Sequence, residues 1–252
     1  MPVSSVQYGQ VPWKYVNGLR ITNSTGTPDE VVDIAVGSIL DSTGTYQIIT
    51  DEVLSPSIIA SGLNGLDTGT VAASKVYAVH LVADPVTQQA TGAMFSLSAT
   101  APLMPFGYSA FALVGYVVTD SSSDILLGYW TAGDSAYRLF RYDAPIATAV
   151  TAGAATSYTA VSLAAFVPAV ENLPVSIAYA FTPGAASRTL NLTPGNAVGN
   201  AVTITGQVTS VVISGNAQVL ARVTSSVPEI DYKVANSGDA VAINVAGYDF
   251  IL

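Results

Sequence analysis

Apolar residues recur at every second position, or in short unbroken runs, along most of the chain. Turn-forming residues interrupt these runs at regular intervals, as in Asp41-Ser42-Thr43-Gly44 and Asp120-Ser121-Ser122-Ser123-Asp124. Period-two alternation bounded by Gly, Asn, Asp and Ser is typical of strands joined by tight turns. The pattern therefore predicts an all-β protein built from antiparallel strands.

The same alternation gives the position of each expected strand. In the first half we expect strands at Val31–Leu40, Tyr46–Thr50, Lys75–Val82, Ala93–Ser98, Ala110–Thr119, Ile125–Trp130 and Arg138–Tyr142. In the second half we expect them at Tyr158–Phe166, Pro174–Phe181, Arg188–Leu192, Val198–Thr205, Val208–Ile213, Gln218–Val223, Ile230–Val234 and Ala240–Gly247. Eight short antiparallel strands in one domain suit a jelly-roll-like sandwich.

The pattern also suggests where the chain divides. Between Tyr142 and Tyr158 it gives way to small Ala, Thr and Gly residues, which offer little side-chain volume for a core. We therefore predict two antiparallel β domains, a β-sandwich over residues 18–143 and a jelly-roll-like sandwich over residues 158–252. Residues 144–157 form the predicted linker, and residues 1–17 form a predicted N-terminal arm.

Composition narrows the choice of partners. Half of the 252 residues are apolar, only 10% are charged, and the net charge is -9. A charge-poor surface is expected to be covered by other subunits, and an acidic one repels nucleic acid. No basic stretch suits nucleic acid or a membrane surface, so neither is an expected partner. The absence of cysteine excludes disulfides and thiolate metal sites.

The first half resembles a module of tail-fibre and other virion-associated proteins of tailed bacteriophages. Four phrases carry the resemblance in order: Gly18-Leu19-Arg20-Ile21, the segment 32–44, the segment 65–79, and the segment 99–120. Together they cover roughly residues 18–130. The second half is similar to companion β domains of such proteins.

The resemblance implies a structural virion protein that is not an enzyme. The chain has no collagen-like or heptad repeat of the kind that builds long fibre shafts. A capsid decoration, head fibre or tail-attached protein is therefore expected, with other virion proteins as partners. Such proteins are usually threefold assemblies, so the resemblance also implies a homotrimer.

A search for chemistry leaves few candidates. His80 is the one histidine of the chain, and no metal-ligand or nucleophile spacing accompanies it. We expect a structural role for His80, no catalytic residues, no cofactor and no metal. The Asp120–Asp124 segment could hold calcium, but it lacks the glycine and the final glutamate of an EF-hand, so a hairpin turn is favoured. Paired acids for glycoside hydrolysis remain the least favoured alternative.

The protein is expected to act through subunit interfaces, and aromatic side chains contribute strongly to the binding energy of interfaces. Tyr8, Trp13 and Tyr15 cluster where no strand pattern explains their burial, so they are candidates to dock on a neighbouring subunit or on their own domain. The apolar residues Phe250, Ile251 and Leu252 are expected to pack against the domain or a partner. The alternative function is a receptor- or glycan-binding module at the particle surface.

Overall fold

The structure is a computed structural model that describes residues 15–130, 137–144, 148–197 and 202–252. Every regular element in these ranges is a β-strand, apart from one 3-10 turn at Gly195–Ala197. Each pairing between consecutive strands of a sheet is antiparallel. The predicted all-β, antiparallel fold class is confirmed.

The described residues of the first half contain ten strands. The bounds are β1 Val16–Gly18, β2 Ile21–Asn23, β3 Val32–Ile34, β4 Gly37–Leu40, β5 Gln47–Thr50, β6 Val76–Ala83, β7 Ala90–Ser96, β8 Ala110–Val118, β9 Gly128–Trp130 and β10 Tyr137–Tyr142. Strands β1, β4 and β5 form one small sheet, β7, β6 and β8 form another, and β10, β9, β2 and β3 extend the large sheet of the second half.

In the second half, the described residues form eight strands. Their alternation is clear in the central ones, where every second side chain is buried. The bounds are β11 Thr148–Gly153, β12 Thr159–Ser162, β13 Leu173–Thr182, β14 Arg188–Pro194, β15 Val202–Gly206, β16 Ile213–Thr224, β17 Val227–Val234 and β18 Ala240–Ile251.

The eight strands pair in jelly-roll order. One sheet runs β11-β18-β13-β16 and the other runs β12-β17-β14-β15, so the first strand lies beside the last and the second beside the seventh. Inward residues such as Val175 and Ile177 of one sheet and Leu192 and Ile230 of the other belong to one buried cluster. The predicted jelly-roll-like sandwich is confirmed.

The predicted linker is partly wrong. Residues 148–153 form β11, the first strand of the jelly roll, which pairs with β18 through two register shifts. The small side chains of β11 show little alternation between apolar and polar positions, so the sequence pattern did not predict it. The strand is held by backbone pairing with β18. The jelly roll therefore begins at least ten residues before the predicted start at residue 158.

The predicted arm is also too long. Val16 and Asn17 are paired with Ile39 and Ser38 of β4, so the ordered strand begins inside the range 1–17. Three-residue strands such as β1 are too short to show a period in the sequence.

The two halves are joined more closely than a linker implies. Strands β10 and β18 pair over five residues, from Tyr137 opposite Ile251 to Arg141 opposite Gly247. One sheet therefore continues from the first half into the second. Aromatic rings fill the same region: Trp130, Phe140 and Tyr248 lie with ring centroids 5.0 to 6.0 Å apart. Strand β18 is therefore shared by both halves.

Candidate interaction surface

The connection between β7 and β8, residues 97–109, exposes large apolar side chains. Phe106 is fully exposed, and Leu97 and Leu103 keep 66% and 63% of their surface in water. Pro102 and Pro105 lie beside Leu103 and Phe106, and each proline fixes its own φ angle. Hereafter this segment is called the β7–β8 loop.

Hydrogen bonds hold the β7–β8 loop in one conformation. The carboxylate of Asp67 accepts the Leu103 N–H at 2.9 Å. Within the loop, the Ser98 hydroxyl accepts the Ala101 N–H at 3.0 Å, and the Tyr108 N–H donates to the Pro105 carbonyl at 3.1 Å. The exposed apolar side chains therefore project from a backbone that is tied to Asp67 and cross-linked within the loop.

His80 forms a hydrogen bond with the start of this loop. It is fully buried on β6, its Nε2 lies 3.0 Å from the Ser98 carbonyl oxygen, and its ring meets Phe111 edge-on. Burial lowers the pKa of His80, although the hydrogen bond to Ser98 and the nearby charge of Asp67 oppose that effect. The ring is therefore held neutral, with its Nε2–H donated to the loop.

An apolar groove of about 480 Å³ lies on one side of the loop. We call it the Tyr15 groove. Its walls come from β1, β4, β8, the base of the loop and the last residue, and they include Tyr15, Ile39, Leu40, Phe111, Leu113 and Leu252. Side chains distant in the sequence thus meet in one cleft.

The rim of the Tyr15 groove is the turn that follows β4. The buried Asp41 carboxylate accepts hydrogen bonds from the Thr45 and Tyr46 N–H groups and from the Thr43 hydroxyl, at 2.7 to 2.9 Å. Burial by itself would raise the pKa of Asp41, but these hydrogen bonds together lower it. Because both carboxylate oxygens are used within the turn, Asp41 serves to shape the rim.

A second groove, of about 400 Å³, lies on the other side of the loop. We call it the Leu97 groove. It lies between the two halves, with Val76, Leu97 and Tyr116 on one wall and Val167, Pro168 and Pro228 on the other. Ala99 lines both grooves, so the two grooves meet at the base of the loop.

The candidate residues from the sequence fall in different places. Tyr8 and Trp13 lie outside the described residues. Tyr15 and Leu252 meet in the Tyr15 groove, and Ile251 is 57% exposed. Phe250 is buried, with its ring edge-on to Tyr116 at 5.0 Å between centroids, so it belongs to the protein's own core.

Sequence reasoning missed the β7–β8 loop. The signal was Pro102-Leu103-Met104-Pro105-Phe106, three large apolar residues among two prolines with no strand period around them. Prolines exclude such a segment from a central strand, so its apolar side chains had to lie outside the sheets.

The acidic segment Asp120–Asp124 is held by hydrogen bonds to its own backbone. The Asp120 carboxylate accepts the N–H groups of Ser122 and Asp124, which closes a hairpin turn as predicted. Among the described residues, no three His, Asp or Glu side chains are grouped as metal ligands. Within the same ranges no helix is long and apolar enough to span a bilayer.

No protein-family model matches the chain, and no curated protein matches its sequence.

Proposed function

We propose that the chain is a structural component of a tailed-bacteriophage virion, as a capsid decoration, head fibre or tail-attached protein. It acts through interfaces with other virion proteins and with copies of itself. The observation that supports the proposal is the β7–β8 loop, which holds Phe106 and Leu103 in water and whose first residues line two grooves. A function of this kind requires no turnover.

The energetics of association favour such a loop. Aromatic side chains dominate interface energies, and a contact is strongest when its side chains are already ordered before binding. The hydrogen bonds that Asp67 and Ser98 accept from the Leu103 and Ala101 N–H groups order part of the loop before binding, so less entropy is lost when it docks. Exposure of three large apolar side chains on one loop is costly for a free monomer and useful for a subunit.

The fold and the resemblance add support. Jelly rolls occur in viral capsid domains and in lectins. The segment 99–120, part of the resemblance to phage proteins, contains the β7–β8 loop from residue 99 onwards. Another phrase, Gly18-Leu19, has both residues at positive φ, with their carbonyl oxygens bound by the buried guanidinium of Arg138. Two phrases of the resemblance thus coincide with specific structural features.

Light scattering on Phe106→Ser tests the proposal. We expect the wild-type protein to form a homotrimer of three 25.8 kDa chains at micromolar concentration. Phe106→Ser and Leu103→Ser are expected to weaken assembly at least tenfold, because each removes about 1.4 kcal/mol or more of apolar contact. Val86→Ser, in the exposed turn between β6 and β7, is the matched control.

Two results would contradict the proposal. One is a wild-type protein that stays monomeric both alone and when mixed with purified particles of a phage that encodes it. The other is a Phe106→Ser variant that assembles as well as the Val86→Ser control.

A glycan- or receptor-binding function is the second candidate, and one surface feature favours it. The Lys233 ammonium lies 4.5 Å above the ring of the part-exposed Tyr158. Lys233 neighbours Asn191, which accepts a hydrogen bond from Thr203, so a polar row crosses the outer face of the β12-β17-β14-β15 sheet. Binding on a glycan array that is lost in Tyr158→Ala would favour this function.

A further inference from the structure

Strand β16 presents a long open edge of the jelly roll. Its residues 213–221 pair with β13 on one side, and only residues 222–224 pair with β17. Within the described part of the chain, no strand pairs with the second side of residues 213–221. In an antiparallel strand every second residue directs its N–H and C=O away from the first partner, so a row of backbone donors and acceptors faces outward from β16.

The other described edge strands of the jelly roll are protected against pairing. Strands β12 and β15 are only four and five residues long, and β11 meets β18 through two register shifts. Short strands, bulges, lysine and proline are the usual means by which proteins discourage association at a sheet edge. Strand β16 uses none of them: it is twelve residues long, it pairs with β13 without a register shift, and residues 213–221 include no proline and no charge.

The charge distribution favours a second copy of this chain as the partner of the edge. The net charge of the protein is -9, so most approaches of two copies bring like charges together. Residues 189–221 contain no Asp, Glu, Lys or Arg, so the edge of β16 adds nothing to this repulsion. We propose that the β16 edges of two copies pair in antiparallel fashion about a twofold axis through Ala217, which joins two jelly rolls through one continuous sheet.

The length of the open edge sets the position of the axis. An axis through Ala217 pairs all nine residues of 213–221, whereas moving the axis by one residue leaves only seven of them paired. In such a pair, a side chain on the inner face of one strand lies opposite a side chain on the inner face of the other. The core of each jelly roll therefore stays on the same side of the joined sheet.

The side chains near the axis suit this register. The exposed Asn216 lies opposite Gln218 of the second copy. The Gln218 amide nitrogen already donates to Asp249 at 2.6 Å, so the Gln218 Oε1 is the atom that accepts from the Asn216 side-chain amide. On the inner face Gly215 and Ala217 are small and leave room for the two backbones to approach.

The contact is expected to be weak. A pair of nine-residue strands buries less than about 1,200 Å², which is the size of a transient interface. It should therefore form at protein concentrations well above the micromolar range in which the homotrimer is expected. The pairing concerns a surface of the jelly roll distinct from the β7–β8 loop, and it does not depend on the proposed virion function.

Cysteine cross-linking tests the pairing on the full chain, which has no cysteine of its own. Ala217→Cys places the two thiols opposite each other at the axis, where Cα atoms are about 4.5–5.5 Å apart and a disulfide can form. Ser214→Cys is the matched control, because three residues from the axis the two thiols lie about 20 Å apart. We expect oxidation of concentrated protein to give at least about fivefold more dimer with Ala217→Cys. Ser214 is the more exposed position, so random collisions would favour the control.

A charge at the edge supplies the second arm of the test. Asn216→Lys, combined with Ala217→Cys, sets two ammonium groups on diagonal positions about 7–8 Å apart across the axis. It is expected to lower the dimer yield at least about fivefold, because like charges at this distance oppose pairing. Thr205→Lys on the edge of β15 is the matched control and should leave the yield unchanged. Both substituted positions are exposed, so both variants should fold.

Four results would overturn the proposal. Two of them are equal dimer yields for Ala217→Cys and Ser214→Cys, and a yield that Asn216→Lys leaves unchanged. A third is a larger yield for Ser214→Cys, which would assign the edge to another register. The fourth is an Ala217→Cys protein that stays monomeric, and protection of its 213–221 N–H groups from hydrogen exchange would then assign the edge to another segment of the same chain. Phe106→Ser should leave the cross-link intact, so the two proposals fail separately.

Discussion

Arg141 on β10 forms an ion pair with Asp249 on β18, with 2.9 Å between Nη2 and Oδ1. Asp249 is buried and also accepts a hydrogen bond from the Gln218 amide at 2.6 Å. The carboxylate therefore links a strand of the first half to two strands of the jelly roll. Its position makes the junction between the halves sensitive to a single side chain.

Asp249→Ala is expected to lower the free energy of unfolding by about 2–4 kcal/mol, because it leaves the Arg141 guanidinium and the Gln218 amide without their common acceptor. Urea denaturation measures the change. Glu171→Ala is the control, since Glu171 pairs with Arg222 and accepts the Val223 N–H at the exposed surface, and its loss should shift the midpoint much less. Equal changes in the free energy of unfolding for the two substitutions would show that Asp249 stabilises the protein no more than an exposed ion pair does.

Gly247→Ala is expected to cost about 2–3 kcal/mol, because a Cβ atom there would lie 2.1 Å from the Phe140 carbonyl oxygen on the neighbouring strand. Gly26→Ala is the matched control, because nothing lies within 4 Å of its Cβ position. Thermal melts of both variants make the comparison. A Gly247→Ala protein as stable as Gly26→Ala would contradict the close pairing of β10 and β18.

His80 is expected to make the protein less stable as the pH falls below about 6.5, the usual pKa of histidine. Burial lowers the pKa of His80 in the folded state, so only the unfolded chain gains a proton between about 6.5 and the lower folded value. Above that window both states are neutral and the effect vanishes. As the chain has one histidine, its single imidazole Hε1 NMR signal reports the folded pKa directly. A midpoint at or above 6.5 would refute the buried, neutral ring.

Buried tyrosines are expected to lower the stability at high pH. Burial raises the pKa of Tyr116 to about 12 and raises the pKa values of Tyr142 and Tyr248 as well. Above pH about 10 the unfolded chain loses these phenolic protons while the folded protein keeps them, so unfolding becomes more favourable. Absorbance at the tyrosinate band should show these three side chains ionising only as the fold is lost. Their ionisation in a still-folded protein would contradict the burial.

The sequence predicted the elements that depend on side-chain alternation. In β13, Val175 and Ile177 alternate with Ser176 and Ala178, and the expected strand differs from the observed one by a single residue at each end. The jelly-roll class followed from the number and spacing of such strands, although their pairing order could not be read from the chain.

Elements set by backbone pairing or by loops were not predictable in this way. The expected strand at 208–213 failed because Val208, Val211 and Val212 are apolar but exposed, and only residue 213 belongs to β16. The meeting of Tyr15 with Leu252 also depended on tertiary structure, since no local pattern brings together two residues so far apart in sequence.

The shared strand β18 has a consequence for how the protein is made. All three strands that pair with it, β10, β11 and β13, precede it in the chain, so each leaves the ribosome with an edge that has no partner yet. Pairings between segments so distant in sequence form slowly, and open edges invite association between nascent chains. Substitutions that delay the docking of β18 should therefore reduce the yield of soluble protein in cells, even where the finished fold tolerates them.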